Sequence, residues 1–360
     1  MEIKNFYKNK KVLVTGHTGF KGSWLSQVLL NFGADVVGVS LAPDTKPNLY
    51  EVLQQEGKVK SYYLDIEDFE ALKKVFIEEK PEIVFHMAAQ AIVRTGYLNP
   101  LRTFSSNAMG TAHVLEAIRE VDSVKSAVII TTDKVYENKE WHHAYRENDS
   151  LGGYDPYSAS KAAADIITNS YIQSYFNIKH YKEKHNSLVA IARAGNVIGG
   201  GDWAEYRLIP DIIRAVYEKK EKIESRNPQA IRPWQHVLEP LSGYMTLAQA
   251  LYEGRPEVSG AWNFGPNNES FVTVETLINH AIEILGAGTH DSNPDTSHMH
   301  EANLLKLDIN KAHAILSWKP RLHLQENLKM TFDWYRNYYE KSADIVEFTN
   351  SQIEEYFNIK

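Results

Sequence analysis

Lys11-Val12-Leu13-Val14-Thr15-Gly16-His17-Thr18-Gly19-Phe20-Lys21-Gly22 decides the fold. The apolar, β-branched run Val12-Leu13-Val14 predicts a strand over 11–15 that ends in a glycine. The glycines that follow are spaced G-x-x-G-x-x-G and open a helical pattern over 20–32. There Leu25 and Leu29 stand one turn apart, with Trp24 and Val28 beside them, which suits burial against a sheet. A pyrophosphate needs close backbone approach and free N–H groups at a helix N-terminus, and residues without side chains permit both. Spaced glycines alone can also be an ordinary tight turn. Their place at the end of the first strand of an alternating array favours a dinucleotide loop built on Gly16, Gly19 and Gly22, with Phe20 and Lys21 in the first helical turn.

Outward from that loop, short apolar strands are expected at 35–40, 60–64, 82–87, 125–131 and 187–193. Helices over 67–79, 107–120 and 157–177 alternate with them. Continuous apolar strands alternating with helices predict an α/β, doubly wound parallel sheet of the Rossmann type. After residue 195 the pattern changes. Gly199-Gly200-Gly201 reads as a loop, and helices recur at 207–219, 238–253, 273–286 and 324–341 around the single strand 261–264. The expected organisation is a dinucleotide-binding domain over 1–195 with a returning segment near 230–264. A smaller, mostly helical and discontinuous substrate domain covers 196–345, and an amphipathic tail covers 346–360. The polar stretch 287–300 reads as an exposed loop.

Composition narrows the function. The chain has 360 residues, 39 Lys+Arg and 46 Asp+Glu, a net charge of −7, and 43% apolar residues, so it can bury a core and is not a disordered chain. The acidic total, without a dense basic stripe, argues against nucleic acid as a partner. Cysteine is absent, which excludes disulfides, thiolate metal sites and cysteine nucleophiles. No stretch reaches the ~18 apolar residues that span a bilayer, and no signal-peptide pattern opens the chain, so a cytoplasmic protein without a membrane partner is expected. The histidines show no metal-ligand spacing; His142, His143, His298 and His300 fall in polar stretches and read as solvated.

Tyr157 and Lys161 stand at i and i+4 on one helix face. The spacing alone selects nothing, because Tyr7/Lys11, Tyr175/Lys179 and Tyr356/Lys360 share it. Context selects: Tyr157/Lys161 follows Thr132, which closes the apolar strand Val128-Ile129-Ile130, and strand C-termini are where ligands bind in such sheets. A lysine charge ~4 Å away at an effective dielectric of ~20 favours a phenolate by up to ~4 kcal/mol, or about three pKa units. That would bring the phenol into range for taking a proton from a sugar hydroxyl, with Thr132 bonding to the same oxygen.

The glycine loop, the Thr132 strand end and Tyr157/Lys161 resemble the extended short-chain dehydrogenase/reductase superfamily over nearly the whole chain. Four stretches are similar to the CDP-glucose branch of its nucleotide-sugar 4,6-dehydratases: residues 16–25, Thr131-Thr132-Asp133-Lys134-Val135-Tyr136-Glu137-Asn138, Arg193 to Trp203, and Ile231-Arg232-Pro233-Trp234-Gln235-His236-Val237. The resemblance implies NAD as cofactor, CDP-glucose as substrate, and CDP-4-dehydro-6-deoxyglucose as product. It also implies a place in deoxysugar (cell-surface polysaccharide) biosynthesis. Tyr157 would take the C4 hydroxyl proton, Lys161 would assist it and hold the nicotinamide ribose, and Asp133 would protonate the departing C6 hydroxyl. Lys134 stands where better-known members of the superfamily have Glu, the base for the C5 proton. An amine serves as a base only when neutral, so Lys134 is either that base or an electrostatic or structural group.

By the same resemblance Asp65, Ile66, Ala88 and Ala89 lie beside the adenosine, Asn107 is a structural and cofactor-shell residue, and Asn196 and Arg207 lie near the substrate diphosphate. The residues themselves do not separate NAD from NADP: the second strand ends in Ser40-Leu41, with neither an acid nor an arginine at the deciding position. An Arg232 fork suits diphosphate oxygens, and Trp234 could support a pyrimidine ring. His236 reads as a structural residue or a ligand contact. Helices 107–120 and 157–177 could pair two copies into a homodimer or homotetramer. The nearest rival is a 4-epimerase, which shares Thr132 and Tyr157/Lys161 but needs no acid to expel water; a redox sensor would have no reason to keep Tyr157 with Lys161.

Overall fold

A computed structural model of the chain describes residues 2–225, 227–292 and 304–359. Seven parallel strands form one sheet: β1 (Lys11–Thr15), β2 (Asp35–Ser40), β3 (Lys60–Tyr63), β4 (Ile83–His86), β5 (Ser126–Ile130), β6 (Leu188–Ala194) and β7 (Gly260–Phe264). Their spatial order is 3-2-1-4-5-6-7, with the reversal between β1 and β4 where doubly wound sheets bind ligands. The central strands are buried on both faces, so they read as continuous apolar runs rather than alternating ones: β5 and β6 are buried at every position. β7 arrives from beyond residue 195 and pairs in register along β6, Gly260 with Ala190 through Phe264 with Ala194.

Helices cover both faces: α1 (Phe20–Asn31), α2 (Phe69–Glu79), α3 (Gly110–Arg119), α4 (Pro156–Ser174) and α5 (Leu238–Tyr252). The helix expected over 107–120 starts earlier. Pro100 opens it, and a π-helical turn over Ser105–Met109 leads into α3. α4 begins where Asp155 accepts from the Ser158 backbone N–H at 3.0 Å, with Pro156 in its first turn, and this fixes Tyr157 at the helix start.

Beyond β6 the chain is helical with short ladders: Val197–Ile198 with Gln235–His236, Ile231–Pro233 with Phe271–Thr273, and Ile223–Ser225 with His290–Ser292. Helices α6 (Val274–Leu285), α7 (Leu324–Glu340) and α8 (Ile345–Asn358) pack around them. The tail helix α8 is fastened to α1, since Gln27 and Asn31 both donate to the Asn350 side chain. His298 and His300 lie outside the described residues. No helix among the described residues is long and apolar enough to cross a membrane.

Candidate active site

One cavity of about 1090 Å³ runs along the C-terminal edge of the sheet, from the glycine loop to the short ladders. At its β1 end the loop folds back on itself. Gly16 has φ +75°, and a Cβ there would stand 2.8 Å from the Ala88 nitrogen; one on Gly22 would stand 2.0 Å from the Gly16 oxygen. Gly19 differs: a Cβ there would meet only the Gly16 oxygen, at 3.5 Å, and no side chain caps α1. The chain's own packing therefore leaves the Gly19 face and the first-turn N–H groups open to an anion, which is the cradle a dinucleotide pyrophosphate fits. Phe20, Lys21, Asp65, Ile66, Ala88 and Ala89 line the same end. Asp65 is ion-paired to Arg102 at 2.6 Å. Thr18, which the sequence did not single out, bonds the Ser40 hydroxyl at 2.8 Å and donates to the Leu41 carbonyl at 2.9 Å, closing the second-strand end with hydroxyls.

The β5 end carries the reactive groups. Thr132 starts a 3₁₀ turn, its oxygen accepting from the Lys134 N–H at 3.4 Å while its hydroxyl donates to Asp133 at 2.9 Å. Asp133 is buried. Burial raises its pKa above the usual carboxylate value, opposed by Lys134, the Thr132 hydrogen bond and Arg232. Lys134 is half-buried and lines the cavity beside it.

Tyr157 and Lys161 line the same cavity. The expected depression of the phenol by Lys161 does not occur. Burial pushes Tyr157 up to about 12, against the Thr132 hydrogen bond and Arg207, which favour the phenolate. The Lys161 ammonium is directed elsewhere, donating to the Ile130 carbonyl at 2.8 Å, and burial lowers it to about 8. Spacing along the helix brings the pair to one cavity, but burial is the largest influence on each of them.

At the far end Asn196, Arg207, Arg232 and Trp234 all face the cavity. Arg207 is paired to Asp202 at 2.9 Å. Asp202 is in turn fixed by Tyr335 of α7, whose hydroxyl accepts from the Asp202 N–H at 2.9 Å and donates to its carbonyl at 2.6 Å. Gly200 is needed here because a Cβ would strike the Trp334 ring at 2.0 Å. The Trp234 ring is buried, with its indole N–H on the Val272 carbonyl at 3.3 Å.

Two expected residues stand behind the wall. His236 is fully buried, edge-on to Trp24, and burial lowers its pKa to about 3. Asn107 sits in the π-turn; its amide accepts from the Gln90 N–H at 2.8 Å and donates to the Gln90 carbonyl at 2.9 Å and to Ser160 at 2.8 Å. It thus ties the loop after β4 to the helix of Tyr157 and Lys161. Sequence reasoning missed Asp44, Gln90 and Arg94 in the lining, and Tyr206, whose ring lies 4.7 Å from the Arg94 guanidinium. All four are in irregular or marginal segments without a periodic signal.

A dinucleotide cradle joined to a Tyr/Lys wall and an arginine-lined end defines an enzyme class of nucleotide-sugar dehydratases and epimerases, and the comparisons narrow it. Residues 13–331 match the family model described as GDP-mannose 4,6 dehydratase, and the chain belongs to that family. It is 46% identical over 355 residues to the CDP-glucose 4,6-dehydratase of Salmonella typhimurium, covering 99% of this chain and 98% of that protein. It is 27% identical to the UDP-glucuronate 4-epimerase of Thermodesulfobacterium geofontis, covering 89% of this chain and 95% of that one. The crystal structure of dTDP-glucose 4,6-dehydratase from Bacillus anthracis in complex with NAD superposes with a TM-score of 0.75 at 22% identity, covering 92% of this chain and 98% of that one.

Proposed function

We propose that this chain is a CDP-glucose 4,6-dehydratase, converting CDP-D-glucose to CDP-4-dehydro-6-deoxy-D-glucose and water with bound NAD. The observation that carries the reading is the buried Asp133, its pKa raised by burial, beside Lys134 in one cavity with Tyr157 and Lys161. It stands in a chain 46% identical to a curated CDP-glucose 4,6-dehydratase along its whole length. An epimerase has no use for an acid at that place.

When bound, NAD supplies a reversible hydride acceptor that oxidises C4 of the hexose and later reduces C6. The residues manage the protons. Tyr157 takes the C4 hydroxyl proton; burial holds its phenol up at about 12, and the Thr132 hydrogen bond and Arg207 oppose that shift. Lys161 holds the nicotinamide ribose. With C4 a ketone, the C5 proton is acidic and Lys134 removes it. Asp133 delivers a proton to the C6 hydroxyl, which leaves as water. Lys134 then returns a proton to C5 as C6 is reduced. Over the cycle the proton lost from the C4 hydroxyl equals the one consumed in forming water, so the enzyme ends as it began.

Gly16, Gly19, Gly22 and the first turn of α1 hold the pyrophosphate, and Asp65, Ile66, Ala88 and Ala89 hold the adenosine. The arginines Arg207 and Arg232, with Asn196, hold the substrate diphosphate, and Trp234 supports the base. His236 serves by packing. The same reading makes the protein a cytoplasmic homodimer or homotetramer; Leu98, Leu101, Met109 and Ile166, all strongly exposed on the helices over 93–119 and on α4, offer the apolar surface for pairing.

Incubation of purified protein with CDP-glucose and catalytic NAD, followed by mass spectrometry, tests the function. Loss of one water without net NADH is expected. An isobaric product would move the chain to the epimerases.

A further inference from the structure

Lys21 is not used by the chemistry above, yet its side chain faces the reacting groups. It stands in the first turn of α1 on the cavity wall, its Nζ 3.4 Å from the Tyr244 hydroxyl and 5.5 Å from the centre of that ring. Tyr244 is fully buried on α5 and is itself within electrostatic reach of Tyr157 and Asp133. The charged groups acting on the ammonium are Arg207 from the segment before Leu208, Lys161 from α4 and Asp133 from the turn after β5. Two of these are cations, and the third is the Asp133 carboxyl, which pulls the other way. The positive end of the α1 dipole adds to them. Lys21 therefore completes a positively charged shell around the site.

We propose that Lys21, held against Tyr244, is a charge-setting residue: its ammonium weakens binding of the oxidised dinucleotide relative to the reduced one, and so strengthens the bound ring as a hydride acceptor. The inference rests on the NAD reading above. The oxidised nicotinamide ring carries a positive charge that the reduced ring lacks, while the phosphates are the same in both. Attraction of Lys21 to the phosphates cancels in the ratio of the two affinities, and repulsion from the ring does not. Burial, with Arg207 and Lys161, lowers Lys21 to about 7 in the free protein, against the pull of Asp133, so the ammonium is present below neutrality.

The test is calorimetric titration of the full chain with NAD+ and with NADH, without substrate, at about pH 6, below the values of about 7 and about 8 to which burial lowers Lys21 and Lys161. Lys21→Met should lower the ratio Kd(NAD+)/Kd(NADH) by roughly five- to ten-fold relative to the wild type, equivalent to ~1–1.4 kcal/mol. Lys21→Arg, which keeps a permanent charge and guards against a packing artefact, should keep the wild-type ratio. An unchanged ratio in Lys21→Met, or one lowered equally in Lys21→Arg, overturns the inference while leaving the NAD reading intact. Failure of the wild type to bind either dinucleotide sinks both.

Discussion

The two ends of the cavity are built by opposite means. At the β1 end the binding surface is backbone: glycines with no room for a side chain, a helix start without a cap, and strands paired over four or five residues. At the Arg207–Arg232 end it is side chains, carried on ladders of two or three residues and, for Arg207, on the start of a short helix, with Asp202 fixed by Tyr335 and Gly200 packed on Trp334. A backbone site answers to the shape of a phosphate chain and tolerates little change. A side-chain site can be altered residue by residue, which suits the proposed role of this end in distinguishing one nucleotide sugar from another.

Gly22→Ala attacks the backbone end where the added carbon has nowhere to go, 2.0 Å from the Gly16 oxygen. We expect loss of dinucleotide binding and a stability cost of ~3 kcal/mol or more, read by calorimetric titration and denaturant unfolding. Retention of wild-type affinity would break the contrast between the two ends.

Asp133→Asn leaves the cavity shape unchanged but removes the acid. Turnover should fall by ~10²–10⁴-fold, while oxidation at C4, seen as transient absorbance of the reduced cofactor on mixing with CDP-glucose, should persist. Equal loss of both steps would show that Asp133 is only a packing residue.

The smallest effect concerns pH. His17 and His86 in the sheet half have folded pKa values of about 4 and about 3, and His236 in the other half about 3, all lowered chiefly by burial. Each lies below the unfolded value of ~6.5, so the unfolded chain takes up protons first as pH falls. Their contribution is complete above ~6.5 and is lost as pH drops toward the folded values, by up to ~1.4 kcal/mol per pH unit for each histidine. Denaturant unfolding at a series of pH values should show that loss, and His236→Gln should reduce the slope by about a third. A slope unchanged in His236→Gln would separate the substrate half from the effect.

The same contrast explains what could be read in the sequence. The seven strands of the sheet were legible, most of them as apolar runs and β3 (Lys60-Ser61-Tyr62-Tyr63) by its place in the alternation, and the glycine loop was legible by its place after β1. The short ladders were not, since two or three residues carry no periodicity. Tyr157/Lys161 was found by its strand end, but the sign of the phenol's shift was missed because burial is a property of the whole site. The partner of Lys21, Tyr244, is 223 positions away on a helix with no motif of its own.

The central claim is that one site oxidises C4, expels water across C5–C6 and returns the same hydrogen to C6. CDP-glucose deuterated at C4, turned over with catalytic NAD and analysed by mass spectrometry and NMR of the product, tests it most directly. The account predicts a product one water lighter that keeps its deuterium, now on C6, with no net NADH. Deuterium lost to solvent, or found again at C4 of an isobaric sugar, would contradict it.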